Sequence, residues 1–558
     1  MRQISLGNQS FESIRRSHSF YVDKTGFIKE WWENQDVVTL IARPRRFGKT
    51  LNLSMVEQFF SVQCKDGGGL FEGLAIWEEE KYKKLQGTYP VIFLSFAGIK
   101  GDTYETARES LIQRIIDLYA KYRFLLEGDF LNSQEREYFD YINADMSDAV
   151  TSMSLHRLSI CLNRYYGKKA IILLDEYDTP LQEAYVYGYW EELTAFVRSL
   201  FNSTFKTNPY IERALMTGIT RVSRESIFSD LNNLAVAATT TERYEKCFGF
   251  TEEEVFSALD SYEMSDRKAD VKAWYDGFTF GGSGDIYNPW SITNFIKEKK
   301  LKTYWANTSS NALVSQLVRQ GSPQTKMTME DFLEGRTLET EIEEEIVFDQ
   351  LSRERGAIWS LFLAAGYLKV VSSTFDGEKY VYELALTNKE VRLMFKNMVQ
   401  AWFSGETVPY HEFLQAFLTG DTDYMNEYMN QVAAATFSSF DTGNQPSDTA
   451  HPERFYHGFV LGLIVELAGK YKISSNRESG FGRYDVMLEP LKGQDTAFVL
   501  EFKVRNPRTE KTLDETLQSA LRQIEKKQYG RELTVRGIAE ENIRCYGFAF
   551  EGKKVLIG

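Results

Sequence analysis

Apolar and polar positions along this chain fall into short buried runs separated by longer stretches with helical spacing. Val37-Val-Thr-Leu-Ile-Ala42 is an apolar run rich in β-branched residues, which predicts a buried strand. Leu51-Asn-Leu-Ser-Met-Val-Glu-Gln-Phe-Phe60 places its apolar residues on one helical face. Val91-Ile-Phe-Leu-Ser-Phe96 predicts a second strand, followed by a long helical region from Thr103 to about Phe130. Ala170-Ile-Ile-Leu-Leu174 and Arg213-Ala-Leu-Met-Thr-Gly-Ile-Thr220 read as further strands. Strands alternating with helices predict a doubly wound, mostly parallel sheet.

The pattern changes after residue 248. From about Phe250 to Leu338 it reads as helical, with aromatic loops at Trp274-Tyr-Asp-Gly-Phe278 and Tyr287-Asn-Pro-Trp290 that suit packing and turns better than a site. A short apolar helix, Trp359 to Tyr367, precedes a hairpin around Phe375-Asp-Gly377. That is the outline of a winged helix, which could touch DNA or cover a nucleotide site. The acidic run Glu339-Thr-Glu-Ile-Glu-Glu-Glu345 reads as a solvated helix face. Residues 401–452 are mixed helical and polar, and Phe440 to Thr449 is a loop by composition. A last segment, 453–558, runs helix, strands, helix, strand. The expected domains are therefore 1–248, 249–400, 401–452 and 453–558.

Between the first strand and its helix lies Arg43-Pro-Arg-Arg-Phe-Gly-Lys-Thr50. A strand-to-helix loop ending in Gly48-Lys49-Thr50 is where a phosphate-binding loop belongs. Its backbone N–H groups, from Arg45, Arg46, Phe47 and Gly48 onward, point at an anion that the helix dipole favours. Lys49 reaches the outer phosphates, and the Thr50 hydroxyl suits Mg²⁺. The usual pattern opens with Gly; Arg43 and Pro44 stand there instead, so the opening turn is made differently.

The strand Ala170–Leu174 ends in Asp175-Glu176. An acidic pair at the carboxyl end of a parallel strand near such a loop can hold Mg²⁺ through Asp175 and orient water through Glu176. Thr217 ends the next strand and is the candidate γ-phosphate sensor, with Arg221 a candidate for charge stabilisation. Upstream, Phe20 and Tyr21 either pack on a base or seal the sheet edge.

A second chemistry lies near the end. Gly482-Arg-Tyr-Asp-Val-Met-Leu488 and Ala497-Phe-Val-Leu-Glu-Phe-Lys-Val504 read as strands joined through a polar turn. A hairpin centred near Gly493 sets Asp485 opposite Glu501, and directly paired residues have Cβ atoms about 4.5–5.5 Å apart. Lys503 shares the face of Glu501 by the period of two, and Arg483 shares it from the other strand. Two acids and a lysine at one point suit metal-dependent phosphodiester hydrolysis, with Asp485 and Glu501 as ligands and Lys503 orienting or deprotonating water. Cross-strand ion pairing on a surface hairpin is the other reading. Glu453 and His457, one turn apart on the preceding helix, suit either a further metal contact or capping and packing. An amphipathic helix, Thr512 to Lys527, carries Gln523, and the strand Arg544 to Phe550 follows.

Composition narrows these options. At 558 residues the chain exceeds one core. No apolar run reaches membrane-span length and no signal-peptide pattern opens the chain, so the cytosol is expected. Four scattered cysteines form no Cys-x-x-Cys pair, so neither a disulfide scaffold nor a zinc knuckle is implied. A net charge of −14 disfavours non-specific nucleic-acid binding by the whole surface but leaves room for a local basic groove.

Arg43-Pro-Arg-Arg-Phe-Gly-Lys-Thr50, Leu173-Leu-Asp-Glu-Tyr-Asp178 and Ser226-Ile-Phe-Ser-Asp-Leu-Asn-Asn233 resemble the bacterial AAA-ATPase-like family, whose members often end in a PD-(D/E)XK nuclease-superfamily domain. The resemblance runs from about Phe11 to Asn288 and again from about Glu453 to Phe550. It implies an α/β multidomain chain with a P-loop ATPase domain, a helical, winged-helix-like middle and a C-terminal restriction-endonuclease-like domain. The nuclease motif carries over onto Asp485, Glu501 and Lys503, with Gln523 as the helix glutamine; Tyr484 stands where the superfamily often has Pro. ATP and Mg²⁺ are the implied cofactors and DNA the implied partner. An arginine from a neighbouring subunit often completes such ATPases, so a homo-oligomer is one arrangement; Arg45, Arg46 and Arg221 acting in the same chain is the other. Two functions fit: ATP-controlled DNA cleavage, or an ATP-dependent switch with a degenerate nuclease fold used for binding.

Overall fold

The computed structural model describes residues 2–222, 227–228, 231–306, 314–315, 317–318, 323–343, 345–346, 356–403, 410–436, 460, 464, 467, 470–475, 478–479, 482–483, 485–491 and 495–558. The chain forms two compact units, Met1–Ser310 with Thr337–Arg392, and Asn311–Arg336 with Leu393–Gly558. Glu453, His457, Tyr484 and the loop Phe440–Thr449 lie outside the described residues.

In the first unit the chain lays down β1 (Val38–Ala42), β2 (Val91–Ser95), β3 (Ala170–Asp175), β4 (Ile211–Gly218), the two-residue β5 (Arg221–Val222) and β6 (Leu234–Ala237). All except β5 join one parallel sheet in the order β2-β3-β4-β1-β6. Every residue of β1 and β3 is buried, as expected of parallel strands covered on both faces. The order sets β4 between β1 and β3, so three strand ends that carry candidate chemistry open on one edge of the sheet. β6 was not anticipated, because Leu234-Ala-Val-Ala237 is short and only half-buried.

Helix Lys49–Phe60 follows β1 and buries Met55, Val56, Phe59 and Phe60. The helix expected from Thr103 to about Phe130 is shorter. It spans Tyr104–Lys121 with Thr103 as its cap, then tightens into a 3-10 turn at Arg123–Leu126. Helix Asp148–Tyr166 starts on the Ser147 side chain and ends at Gly167 in the left-handed conformation, where glycine carries no Cβ penalty.

The region expected to be helical after Phe250 also holds a small antiparallel sheet. β7 (Phe250–Thr251), β8 (Phe278–Phe280) and β9 (Ser283–Tyr287) pair in the order β7-β9-β8, among helices Glu252–Ser261, Lys268–Tyr275 and Pro289–Glu298. The β8–β9 turn needs Gly281: its φ is 54°, and a Cβ there would lie 2.5 Å from the Glu242 Cα. β10 (Leu338–Thr340) and β11 (Glu345–Ile346) lie in the acidic run, which is therefore strand at both ends rather than a helix face. Leu338–Thr340 pairs with the hairpin, so cross-strand hydrogen bonds override its charge pattern. Helix Ala357–Ala364 precedes that hairpin, β12 (Leu368–Phe375) and β13 (Tyr380–Leu386), as its spacing predicts.

The second unit is built on β14 (Tyr471–Ser475), β15 (Glu478–Ser479), β16 (Gly482–Arg483), β17 (Val486–Pro490), β18 (Ala497–Val504), β19 (Ile543–Glu551) and β20 (Lys554–Ile557). The main sheet runs β14-β17-β18-β19-β20, with only β18 and β19 parallel. The strand expected over Gly482–Leu488 is broken. Arg483 belongs to β16 and pairs with Glu478 of β15, so it does not sit on the strand facing β18. β20 is an additional edge strand, held by side chains: Asn426 and Asn430 each donate to and accept from its backbone at 2.7–2.9 Å. That satisfies groups an open edge would expose. β18 is buried on both faces. Phe498, Leu500 and Phe502 join the core of helices Tyr410–Thr419 and Thr422–Thr436, whereas Ala497 and Val499 meet Ile524 of helix Leu513–Lys527. By the same alternation Glu501 and Lys503 face that second helix.

Candidate functional site

At the β1 edge the loop is held by an unexpected residue. Arg43 is fully buried, and its guanidinium donates to the carbonyls of Ala42 (3.0 Å), Ala237 (2.9 Å), Ala238 (2.6 Å) and Arg243 (3.2 Å) while lying 4.6 Å over the Phe280 ring. Where the usual motif has Gly, this chain ties the opening of the loop to the end of β6. Burial pushes the Arg43 guanidinium down to about 10.

Gly48 then turns the chain at φ 81° and Lys49 begins the helix. The Lys49 ammonium is buried and donates to the carbonyls of Arg43 and Pro44, both at 2.8 Å. Burial pushes it down to about 8, against the pull of Asp178, Glu176 and Asp175. Phe47 is core: its ring packs on Phe278 and Phe280, leaving only its backbone to the loop.

Asp175 is where the two halves of the motif meet. Its carboxylate accepts from Thr50 Oγ1 at 2.8 Å and from Thr217 Oγ1 at 2.6 Å. Burial raises its pKa, and those two hydroxyls oppose the rise. Thr217 is completely buried, and its hydroxyl also accepts the Glu176 N–H at 3.3 Å. In this arrangement it braces the acidic pair. Glu176 has φ 51°, uncommon for a non-glycine residue, and its side chain accepts from Thr179 Oγ1 at 3.3 Å. Arg221 begins β5, whose backbone pairs with β11.

Several residues at this edge were not foreseen. Asp178 is buried and accepts from the Ile219 and Thr220 amides at 2.8 and 3.1 Å, fixing the turn after β4. It lies in the Leu173–Asp178 motif, three residues past Asp175, which was the available signal. Gln182 donates to Asp178 and accepts from Arg45. Asn288 and the Trp305 indole both donate to the Arg45 carbonyl, at 3.3 and 3.0 Å. Trp290 lies under the Arg46 guanidinium at 4.5 Å. Arg45, Arg46, Gly48, Lys49, Thr50, Glu176, Asp178 and Trp290 line one cavity of about 440 Å³, together with Phe20 and Tyr21. Tyr21 also donates to Met55 Sδ at 3.3 Å, and Phe20 packs on Phe250 and Tyr262.

Glu252, Asp276 and Asp285 bring carboxylate oxygens within 4.8 Å of one another. Lys272 pairs with Glu252 and lies 3.7 Å from Asp285, and the Tyr287 hydroxyl donates to Glu252 at 3.1 Å. Burial, then the Asp285 carboxyl, pushes Asp276 up to about 7. Spread over 34 positions, this cluster has no local sequence pattern.

In the second unit the β17–β18 ladder ends at Val486↔Leu500, so Asp485 and Glu501 are the next pair. The Phe502 N–H donates to Asp485 Oδ2 at 2.8 Å. Glu501 is buried, and the Gln523 amide donates to its Oε1 and lies 3.3 Å from the Tyr529 hydroxyl. Asp485 and Gln523 are thus brought to Glu501, and Lys503 shares the Glu501 face of β18 by alternation. A hydroxyl–carboxylate pair at Thr50–Asp175 and a carboxylate pair at Asp485–Glu501 are both oxygen donor sets of the kind Mg²⁺ takes.

Residues 5–228 match the family model of predicted AAA-ATPases, and residues 451–558 match that of the PD-(D/E)XK nuclease superfamily. The chain thus carries an AAA-ATPase-like domain at its N-terminal end and a PD-(D/E)XK nuclease-superfamily domain at its C-terminal end. An uncharacterized protein in the vnfD 5′ region of Azotobacter chroococcum mcd 1 is 25% identical over 397 residues, 70% of this chain and 68% of the relative. The Aeropyrum pernix ORC2 protein, solved as ADPNP–ADP complexes, is 9% identical over 71% of this chain and 95% of its own, with a TM-score of 0.24, too slight a likeness to carry an argument. Among the described residues no helix is long and apolar enough to cross a membrane.

Proposed function

We propose that this protein is a cytosolic enzyme that binds and hydrolyses ATP in its first unit and cleaves DNA in its C-terminal domain, with the nucleotide state controlling cleavage. The observation that carries the ATPase half is the convergence of the Thr50 and Thr217 hydroxyls on buried Asp175, beside a cavity that Lys49, Thr50 and Glu176 line. In this reading 1–248 is the ATPase domain, 249–400 its lid and winged-helix-like region, 401–452 a connection and 453–558 the nuclease domain.

The roles follow from the side chains. The loop amides from Arg45 to Gly48 bind phosphate oxygens, and Lys49 trades its two carbonyl partners for the outer phosphates. Thr50 and Asp175 hold Mg²⁺, which when bound neutralises phosphate charge. Glu176, which lines the cavity, orients the attacking water. Thr217 aligns Asp175 and opposes the rise that burial imposes on its pKa. In the C-terminal domain Asp485 and Glu501 would hold a second Mg²⁺, which when bound would supply an activated water. Gln523 fixes the Glu501 rotamer, and Lys503 orients or deprotonates the nucleophile. Four free thiols suit a reducing compartment.

Purified protein is tested on supercoiled and linear duplex with Mg²⁺ or Mn²⁺, with and without ATP. The expected result is cleavage abolished by Asp485→Ala, with ATP binding intact, and a response to ATP abolished by Lys49→Ala. Retained ATP binding with no cleavage under either metal would replace the nuclease with a nucleotide-dependent switch.

A further inference from the structure

Two arginines occupy loop positions of the phosphate-binding motif, and their surroundings differ. Arg45 is engaged by the Gln182 side chain at 3.1 Å. Arg46 is exposed, has φ 65°, and lays its guanidinium 4.5 Å over the Trp290 ring. Among the described residues no carboxylate forms an ion pair with it. A left-handed conformation is unfavourable for arginine and persists only where the surroundings impose it. They do so here on both sides: Asn288 and Trp305 hold the Arg45 carbonyl, and buried Phe47 accepts the Gly249 N–H through its own carbonyl. Trp290 is itself placed by its backbone N–H, which donates to the Asn288 side chain at 2.9 Å at the start of helix Pro289–Glu298.

We propose that Arg46 is the arginine that stabilises charge in phosphoryl transfer within this same chain, and that Trp290 is the positioning residue that stores it. This rests on the ATPase reading above. An indole face attracts a guanidinium without neutralising it and leaves its five N–H donors free for an anion. A carboxylate partner would have to be displaced first. Arg46 lines the cavity that Lys49, Thr50 and Glu176 share, so no second copy of the chain is needed to bring a cation there. In hydrolysis the water oxygen bonds to the γ-phosphorus, and the bond to the β,γ-bridging oxygen breaks with its electron pair leaving on ADP. One water proton stays on the phosphate and the other is released through Glu176. Arg46 donates to the oxygens that gain charge as this happens.

The test is steady-state ATP hydrolysis by the full-length protein, alongside binding of a fluorescent ATP analogue. Arg46→Ala is expected to lower kcat on the order of 10³-fold, with analogue affinity changed far less. Trp290→Ala should lower kcat about fivefold, Trp290→Phe should restore most of that loss, and Trp290→Ala should have no further effect in the Arg46→Ala background. Specific activity should not change on dilution. Wild-type kcat in Arg46→Ala, a Trp290→Ala loss that persists without Arg46, or specific activity that rises with protein concentration would each overturn the inference while leaving the ATPase reading in place. A wild-type protein that neither binds the analogue nor hydrolyses ATP would overturn both.

Discussion

Replacing Arg43 with glycine restores the usual first residue of a phosphate-binding loop, and the structure predicts that it harms this protein. The guanidinium donates four hydrogen bonds to carbonyls, three of them on Ala237, Ala238 and Arg243, about two hundred positions away in the chain. Charge-assisted bonds contribute roughly 1.5–3 kcal/mol each, or about 6–12 kcal/mol for four. Against this, burial depresses the guanidinium to about 10, which costs about 3 kcal/mol. The freed carbonyls would recover part of the loss by taking up water, and glycine adds about 1 kcal/mol of backbone entropy to the cost of folding. A net loss of about 4 kcal/mol is expected, which for a unit this large lowers Tm by about 5 °C. Arg43→Lys should lose nearly as much, because a single ammonium cannot span four carbonyls. Thermal unfolding followed by circular dichroism checks both variants. An Arg43→Gly protein melting within about 2 °C of wild type would refute the anchoring role.

Three further outcomes follow from the geometry. Thr217→Val removes the 2.6 Å donor from Asp175, so the Mg²⁺ concentration needed for half-maximal ATP hydrolysis should rise about tenfold; an unchanged Mg²⁺ titration would show that Thr217 does not brace this carboxylate. Gln523→Ala frees Glu501 and should cut metal-dependent cleavage about 10- to 100-fold while leaving ATP hydrolysis intact, read from plasmid nicking and phosphate release on the same preparation. Asp276 is pushed up to about 7 by burial and Asp285, so the folded state keeps a proton that the unfolded chain releases near pH 4; stability should therefore fall as pH rises from about 4 through about 7 and then level off. Asp276→Asn should flatten that decline in pH-dependent melting curves, and an unaltered profile would remove Asp276 as its source.

Much of this architecture follows from short-range pattern. The parallel strands are legible as uninterrupted apolar runs because burial on both faces removes any need for polar alternation. Their carboxyl ends are marked by Gly48-Lys49-Thr50 and Asp175-Glu176. The pairing of Asp485 with Glu501 was readable by counting from Gly493, since the ladder Val486↔Leu500 has the same centre. Period-two alternation then put Lys503 beside Glu501.

Tertiary structure alone decided what those residues touch. Nothing local in the sequence says that Arg43 reaches across to Ala237 and Ala238, because that contact exists only once β6 has docked beside β1. Trp290 and Trp305 look like ordinary packing residues until helix Pro289–Glu298 and the segment after it are folded against the loop. Thr217 is a similar case: its place at the end of β4 was legible, but only the folded sheet shows its hydroxyl held against Asp175. Local sequence carries the period of burial and the chemistry of a turn, both set by neighbours a few residues apart. Hydrogen bonds between segments two hundred positions apart depend on which strands become neighbours, and only the assembled sheet determines that.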